Sequence, residues 1–410
     1  MALILLALSH LLIDMHSSML PVVLVYQRPV LGLTLTQVGL VAGVYNFGIS
    51  LAQPLFGYLS DRWGERPFAS GSLLWISALG ASLGFAPTFV HLLVLAGLQA
   101  IAPAAFHPPG AAGVSQLSAQ AGKKVSGKRG FSMSFFLSGG SVGMALGPLV
   151  AAGVFELAGL RGTAWIGLVT FSLALVLIGL MRLAWPNSGT RNRAIRSTAA
   201  RNAQVRPHPA VAGAANWRMV WPAVAVLLLI TAVRTSIHMS LTTYIPQYLA
   251  LEGLEPAQAS RWLALMLVGT IFGVISGGPL SDRYGPRWVI STALLVLGAA
   301  LLVLLTLPSI AIYSLLLPIA GAAVGIPLSM TLVIGQAFLR DAAGLASGLV
   351  LGTSFVSGAL GVTLVGWVGE HWGLGVALSW LGVLALISAV AGLGLPRQVP
   401  ALQPSPQSGG

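Results

Sequence analysis

The chain alternates between long apolar stretches and short segments that carry charges, proline and glycine pairs, or polar clusters. A helix needs about 20 apolar residues to cross a hydrocarbon core of about 30 Å. Twelve stretches satisfy this, and they predict an all-α polytopic membrane protein with transmembrane helices over residues 2–26, 36–59, 68–86, 90–116, 131–155, 162–183, 219–248, 258–280, 289–306, 309–338, 342–368 and 373–395. The first stretch lacks a basic segment before it, so we expect a retained helix instead of a cleaved signal peptide.

The composition also indicates lipid as the main solvent. Hydrophobic residues make up 56% of the 410 residues and charged residues only 7%, whereas soluble chains are about one quarter charged. The chain contains no cysteine, which excludes disulfides, thiolate metal sites and thiol nucleophiles. No other motif specifies a metal or an organic cofactor, so we predict neither.

The net charge of +12 could suggest a nucleic-acid partner, but the basic residues cluster in loops between the predicted helices. With the amino terminus inside, all but four of the 21 basic residues fall on the cytoplasmic side, the exceptions being Arg28, Arg161, Arg234 and Arg261. This is the bias of the positive-inside rule. We therefore predict a bacterial inner-membrane protein with both termini cytoplasmic, whose partner is the lipid bilayer and not nucleic acid.

An internal repeat divides the chain into two halves. The run GYLSDRWGER at residues 57–66 recurs as GPLSDRYGPR at residues 278–287, an offset of 221 residues. The repeat predicts two pseudo-symmetric six-helix bundles, at residues 1–183 and 218–395. Between them, residues 184–217 are polar, basic and proline-containing, which predicts a cytoplasmic linker. Residues 396–410 predict a disordered tail.

The repeated run has the pattern G-x-x-x-D-R-x-G-x-R, which resembles the signature loop of major facilitator superfamily transporters. The resemblance implies the major facilitator fold and a latch that holds the two helix bundles in one of two states. Its residues here are Gly57, Asp61, Arg62, Gly64, Arg66, Gly278, Asp282, Arg283, Gly285 and Arg287. Glycine would let two helices approach closely, and the arginines could pair with carboxylates or lipid phosphates. The alternative is a tight turn with ordinary cytoplasmic charges.

The predicted fifth helix carries small residues at four-residue intervals, including Gly143 and Gly147, and then Pro148. This face resembles the antiporter-associated motif of the same superfamily. Small residues permit close helix packing, and proline adds a kink. Generic membrane packing is the alternative.

Ionisable residues inside predicted membrane helices are costly and therefore point to function. His10 and Asp14 lie four residues apart near the middle of the first helix, and Arg234 and His238 lie four apart on its repeat equivalent. Each pair shares one helical face. We predict that Asp14 and His10 couple transport to protons. We predict that Arg234, which could anchor an anionic group, binds substrate together with His238, His16 and His107. A fixed structural pair of Asp14 with Arg234 is the alternative.

The predicted fourth helix contains the run Ala105-Phe106-His107-Pro108-Pro109-Gly110. Two prolines and a glycine predict a break in this helix, with His107 at the break. Either a structural kink or a bend that lines a ligand site would explain it.

A narrower resemblance is carried by three segments: S-H-x-x-x-D-M at residues 9–15, F-H-P at residues 106–108, and a glycine-rich run from Gly139 to Pro148. These resemble the fosmidomycin-resistance family, a bacterial branch of the superfamily. The resemblance implies a pump that exchanges protons for a small organic compound, with His10, Asp14 and His107 as cavity residues. Members often carry glutamate after F-H-P, where this chain has Pro109, so Asp14 would bear more of the proton load.

We therefore predict a monomeric, proton-coupled exporter of small amphiphilic or anionic compounds that works by alternating access. Import by proton symport would use the same residues in reverse. An intramembrane enzyme is disfavoured because no H-E-x-x-H or G-x-S-x-G motif is present. A non-transporting scaffold would not require charges at mid-membrane on repeat-equivalent helices.

Overall fold

A computed structural model describes residues 1–120, 128–185, 217–338 and 343–395. The described residues form thirteen α-helices and one short 3₁₀ turn, Gly159–Arg161, and contain no strand. The helices are α1 (Ala2–Leu31), α2 (Leu35–Trp63), α3 (Glu65–Leu83), α4 (Phe89–Gln99), α5 (Ile101–Gln120), α6 (Lys128–Ala158), α7 (Gly162–Ala184), α8 (Trp217–Leu251), α9 (Pro256–Tyr284), α10 (Pro286–Thr306), α11 (Ile310–Phe338), α12 (Ala343–Trp372) and α13 (Leu374–Gly392). The predicted tail, most of the predicted linker and their basic clusters lie outside the described residues.

The helices account for the predicted number of membrane crossings. Ten segments of the described chain are long and apolar enough to span a membrane. One of them, Ser132–Ala184, has 53 residues and covers both α6 and α7, which at about 1.5 Å per residue suffices for two crossings. Helix α3, with 19 residues, is not among the ten, while α4 and α5 together make the single segment Phe89–Leu117. The prediction of an all-α polytopic fold is confirmed.

Glycines of the repeated run end one helix and begin the next in both copies. Gly64 has φ 91° and Gly285 has φ 83°, a left-handed region that glycine tolerates because it has no Cβ. The other two glycines of the run behave differently. A Cβ on Gly57 would come no closer than 3.8 Å to Pro108, and one on Gly278 would meet nothing within 4 Å. The prediction that these two glycines allow close helix approach is wrong.

The fourth membrane helix does not break at the prolines that predicted a break. Helix α5 continues through Pro108 and Pro109, because the fixed φ of proline is close to that of an α-helix and only two backbone hydrogen bonds are lost. At Ala100, between α4 and α5, the backbone keeps right-handed helical dihedral angles, and the two helices form one apolar segment, Phe89–Leu117. The prediction of a break at the prolines is therefore wrong, and His107 lies on a continuous helix.

The chain forms two compact units. The first contains the described residues of Met1–Ala210, Thr242–Ala264 and Val362–His371, and the second those of Val211–Leu241, Leu265–Gly361 and Trp372–Gly410. The core of the first unit is built around α1, whose Leu6 and Ile13 are fully buried with Leu73, Phe106 and Phe136 of α3, α5 and α6. The predicted boundaries at residues 183, 217 and 395 stay predictions.

Candidate functional site

Helix α6 packs on α1 through a row of glycines. A Cβ on Gly139 would lie 2.2 Å from the carbonyl oxygen of Ala7, and one on Gly143 2.2 Å from that of Leu11. A Cβ on Gly147 would lie 2.1 Å from the hydroxyl of Ser18. These distances are too short for any side chain, so the two helices are in backbone contact. Pro148 follows this row, and α6 continues through it.

Gly140 makes room for the ionisable residues of α1. A Cβ at this position would lie 2.4 Å from His10 Nε2 and 2.5 Å from Asp14 Oδ2. The glycine-rich run of α6 therefore has two consequences. It brings the two backbones together, and it leaves space for the imidazole and carboxylate that α1 presents.

Asp14 bridges two histidines from different helices. Its Oδ2 lies 3.2 Å from Nε2 of His10, one turn earlier on α1, and its Oδ1 lies 3.1 Å from Nε2 of His107 on α5. The side chain of His10 is 6% exposed, that of Asp14 16% and that of His107 31%. The group thus runs from a buried imidazole through the carboxylate to a partly open imidazole.

The orientation of His10 is fixed by α6. Its Nδ1 lies 2.9 Å from the carbonyl oxygen of Phe136, and its ring stacks on the Phe136 ring with centroids 4.3 Å apart. A carbonyl oxygen can only accept, so Nδ1 donates this hydrogen bond. In the neutral imidazole, Nε2 would then point a lone pair at the carboxylate of Asp14. Two acceptors in contact repel, so the geometry favours a proton between Nε2 and the carboxylate.

The same three side chains offer atoms that could hold a metal ion. One ligand atom from each of His10, Asp14 and His107 lies within 4.8 Å of the others. Imidazole nitrogens and a carboxylate oxygen are donors that zinc and other divalent cations accept. A cation or a proton would relieve the same repulsion, so the two would compete for these atoms.

His16 does not join this group. It is 1% exposed, and its Nε2 lies 3.0 Å from the hydroxyl of Thr170 on α7. On its other side, a Cβ on Gly80 of α3 would lie 2.5 Å from its Nδ1. His16 therefore contacts α3 and α7, on a different face of α1 from His10 and Asp14. Its predicted role in substrate binding has no support from this position.

Arg234 and His238 lie on α8, in the second unit. Arg234 is 2% exposed and donates from Nη2 to the hydroxyl of Thr235 at 2.6 Å. Its Nε has no hydrogen-bond partner among the described residues. The residue lies 17 positions from either end of the 35-residue helix, about 25 Å of helix on each side, so its side chain cannot reach an aqueous boundary by snorkelling.

The arginines of the repeated run make different contacts in the two copies. Arg62 donates to the hydroxyl of Tyr58 at 3.0 Å, and Arg66 donates to the carbonyl oxygen of Trp185, just past α7, at 3.2 Å. In the second copy, the guanidinium groups of Arg283 and Arg287 lie over the rings next to them in sequence. Asp61 and Asp282 are exposed. Their predicted role as a latch stays a prediction.

A tyrosine that the sequence did not single out ties distant segments together within the first unit. The hydroxyl of buried Tyr244 lies 3.0 Å from the carbonyl oxygen of Leu35 and 3.1 Å from that of Val362. A Cβ on Gly39 would lie 2.4 Å from this hydroxyl, and one on Gly366 2.1 Å. The start of α2 therefore meets the carboxyl-terminal parts of α8 and α12 around one side chain. No local sequence signal marks such a contact.

A second contact joins the same segments. The carboxylate of Glu370, near the end of α12, accepts a hydrogen bond from the backbone nitrogen of Thr36 at 3.1 Å and another from its hydroxyl. Thr36 lies in the first turn of α2, where free amide groups and the helix dipole favour a negative charge. Helix α2 thus begins with a capping box of its own, made by Thr34 and Gln37, and with a carboxylate from α12.

Comparison with known proteins identifies relatives over most of the chain. A profile described as the Major Facilitator Superfamily matches residues 6–277 and 252–410. The chain is 27% identical over 301 residues to the fosmidomycin resistance protein of Escherichia coli, which covers 73% of this chain and 68% of that protein. It is 24% identical over 310 residues to the multidrug efflux pump Tap of Mycolicibacterium fortuitum, covering 75% and 72%.

Solved structures support the fold. The chain resembles a bacterial homologue of the human lysosomal transporter Spinster, in an inward-facing and occupied conformation, with a TM-score of 0.75. The alignment covers 95% of both chains at 17% sequence identity. At this identity the similarity establishes the arrangement of helices and not the substrate.

Proposed function

Because the chain belongs to the Major Facilitator Superfamily, we propose that it exports small organic compounds across the bacterial inner membrane in exchange for protons. It is a membrane transporter of small molecules and not an enzyme. The direction of transport, the proton and the chemical class of the substrate form the proposal, together with a monomeric state and cytoplasmic termini.

One observation supports the binding of a proton between Asp14 and His10. Nδ1 of His10 donates to the carbonyl oxygen of Phe136, so Nε2 faces the carboxylate of Asp14 at 3.2 Å as an acceptor unless a proton lies between them. The pair is mostly buried, and a charge without a partner is costly there. A proton shared by Asp14 and His10 removes that cost. The pair is therefore the place where we expect the transported proton to bind.

The partly exposed side of the cluster, at His107, offers a path by which a proton can reach Asp14. His107 contacts the second oxygen of Asp14 and is the most exposed of the three side chains. A proton can therefore reach the carboxylate through His107, because an imidazole can take up a proton on one ring nitrogen and release one from the other. Coupling requires that substrate binds better when the site has lost its proton, and that the proton binds better when the substrate has left.

Two features support the substrate class. The relatives include proteins named for fosmidomycin resistance and for multidrug efflux, which favours drug-like compounds and export. Arg234 is buried at the middle of α8, and its Nε is unpartnered among the described residues. A buried guanidinium with a free N–H is suited to an anionic group. We therefore expect amphiphilic compounds, with anions transported best.

Asp14→Asn tests the coupling. Resistance profiling in a pump-deficient bacterium, with fosmidomycin among the compounds, first identifies a transported compound. Proteoliposomes with an imposed pH gradient then measure its flux, in the presence of a chelator so that divalent cations do not occupy the three side chains. We expect Asp14→Asn to abolish gradient-driven movement, because the amide cannot be protonated and keeps only one acceptor oxygen. Glu252→Gln, at an exposed carboxylate after α8, is the matched control.

Three results would contradict the proposal. If Asp14→Asn kept gradient-driven flux, the proton would bind elsewhere. If the compound moved in the same direction as the proton, the protein would be an importer by symport. If no compound moved and no resistance changed, the export of drug-like compounds would be wrong.

Arg234→Ala tests the substrate class. We expect it to lower the flux of anionic compounds more than that of neutral ones, by roughly tenfold, because a charge-assisted hydrogen bond contributes about 1.5–3 kcal/mol. The measurement is the ratio of initial rates for an anionic and a neutral substrate of similar size. Equal losses for both would indicate a structural role for the guanidinium.

A further inference from the structure

A groove in the second unit lies outside the site described above. It has a volume of approximately 450 Å³ and runs between the end of α9, the first half of α10 and the middle of α11. Its lining is almost entirely apolar and includes Leu280, Trp288, Ala293, Val296, Ile319 and Ala323. In a soluble protein such a surface would mark a protein interface, whereas in this family of membrane proteins it lies within reach of lipid.

The groove begins at the start of α10, one of the helices that are long and apolar enough to cross a membrane. Trp288 lies in the first turn of α10 and Val296 lies eight residues further along, about 12 Å deeper along the helix axis. Trp288 and Tyr284, at the mouth of the groove, are about half exposed. Tryptophan and tyrosine are enriched at membrane–water boundaries because one end of each ring is apolar and the other polar. The groove therefore extends from the boundary into the apolar layer, as an acyl chain does.

Two guanidinium groups lie over the aromatic rings that line the mouth of the groove. The Cζ atom of Arg283 lies 5.2 Å from the centroid of the Tyr284 ring, and that of Arg287 lies 5.5 Å from the centroid of the Trp288 ring. The Nε atom of Arg287 is buried and has no hydrogen-bond partner among the described residues. Asp282, next to Arg283, is exposed and offsets one of the two charges. The mouth thus keeps a positive charge beside an apolar groove.

In the first copy of the repeat, the arginine at the equivalent position of the turn makes a hydrogen bond within the protein. There Arg66, the equivalent of Arg287, donates to the carbonyl oxygen of Trp185. Glu65 follows the turn glycine and is buried, accepting a hydrogen bond from Gln116. In the second copy Pro286 takes the place of that glutamate. An anion would meet a carboxylate in the first copy and none at the equivalent position in the second.

We propose that this groove binds an anionic phospholipid, with one acyl chain between α9, α10 and α11 and the phosphate on Arg287 and Arg283. Arginine suits this role because its planar guanidinium binds phosphate through two parallel hydrogen bonds. The start of α10 adds the positive end of the helix dipole and the first-turn backbone amides of Arg287 and Trp288, since Pro286 has no N–H. The zwitterionic headgroup of a neutral phospholipid would gain less from this site.

Native mass spectrometry of the purified full-length protein tests the proposal. The probes are palmitoyl-oleoyl phosphatidylglycerol and phosphatidylcholine, which share their acyl chains and differ in headgroup charge. We expect one high-affinity lipid site that prefers phosphatidylglycerol by about tenfold, equal to about 1.4 kcal/mol. Arg287→Gln should remove this preference, while the control Arg62→Gln, at the first-copy equivalent of Arg283, should keep it. Higher salt should weaken the preference in the parent protein.

A second variant tests the groove itself. Thr292 lines the groove and is exposed, so Thr292→Trp should fill it without disturbing the core and should weaken binding of both lipids at the high-affinity site. If Thr292→Trp fails to give a folded protein in a melting assay, Val296→Trp replaces it. Equal affinity of the parent for both lipids, lipid binding that survives the filled groove, or an equal effect of Arg62→Gln would overturn the proposal. So would a dimer that disappears when the groove is filled, because the occupant would then be a second copy.

Discussion

Replacing Gly140 with alanine would place a methyl group against the contact between His10 and Asp14. The new Cβ would lie 2.4 Å from Nε2 of His10 and 2.5 Å from Oδ2 of Asp14. Ordinary van der Waals contact begins at about 3.4 Å, so both atoms must retreat by about 1 Å. Neither titratable group is removed. The substitution therefore changes the geometry of the pair and leaves its chemistry in place.

The surroundings decide how the shift is taken up. His10 is held from behind by its hydrogen bond to Phe136 and by stacking on that ring, so it can move only by giving up one of these contacts. A charge-assisted hydrogen bond contributes about 1.5–3 kcal/mol. Losing the contact between His10 and Asp14 should therefore reduce proton-driven flux at least tenfold. The atoms that clash are the ends of side chains, so we expect the helices to stay packed.

The matched control is Gly153→Ala on the same helix. A Cβ at Gly153 would meet nothing within 4 Å, and alanine is the better helix former by about 1 kcal/mol. We expect Gly153→Ala to keep or raise the melting temperature and to leave flux unchanged. Gly140→Ala should combine near-parental folding with low gradient-driven flux in proteoliposomes. Normal coupling in Gly140→Ala, or equal loss in both variants, would refute the assignment of the proton to this pair.

Two further predictions concern contacts outside the cluster. Tyr244→Phe should lower the free energy of unfolding by about 0.5–1.5 kcal/mol, because the one hydroxyl hydrogen that lies near the carbonyl oxygens of Leu35 and Val362 is lost. Tyr26→Phe is the control, because the contact of Tyr26 is a ring contact with Phe155. Equal melting temperatures of the two variants would contradict the role of the Tyr244 hydroxyl. Gly285→Ala should be destabilised by about 1–2 kcal/mol, because its φ of 83° disfavours any side chain. Gly278→Ala, inside a helix and with nothing within 4 Å of its Cβ, should keep or raise the melting temperature. The same melting temperature for both variants would contradict this explanation.

Membrane solvent explains why the helices were predictable from the sequence. In lipid every backbone polar group must be satisfied within the segment, so a long apolar stretch can only be a helix. The i, i+4 spacing of His10 and Asp14 likewise predicted their contact, because residues four apart on a helix are neighbours. The glycine-rich run predicted close packing but not its partner helix, which is α1.

Contacts between distant segments could not be predicted in this way. His107 contacts Asp14 although the two residues are 93 positions apart in the sequence. This contact depends on how α1 and α5 pack and not on any local pattern. Tyr244 finds its carbonyl partners 209 and 118 positions away. The predicted break at Pro108 and Pro109 failed for a different reason. Proline removes a backbone hydrogen bond but keeps helical dihedral angles, so it does not by itself end a helix in a packed bundle.

The two copies of the repeat show that one backbone can serve different chemistry. Both turns place a glycine with positive φ between two helices, and both put an arginine two residues after it. In the first copy that arginine, Arg66, donates a hydrogen bond to the carbonyl oxygen of Trp185, just past α7. Its guanidinium group is therefore occupied by a contact within the protein. In the second copy the equivalent Arg287 stacks on Trp288 and keeps a buried N–H without a partner among the described residues. A duplicated turn needs only its glycine to fold, so its arginine is free to acquire a ligand in one copy alone.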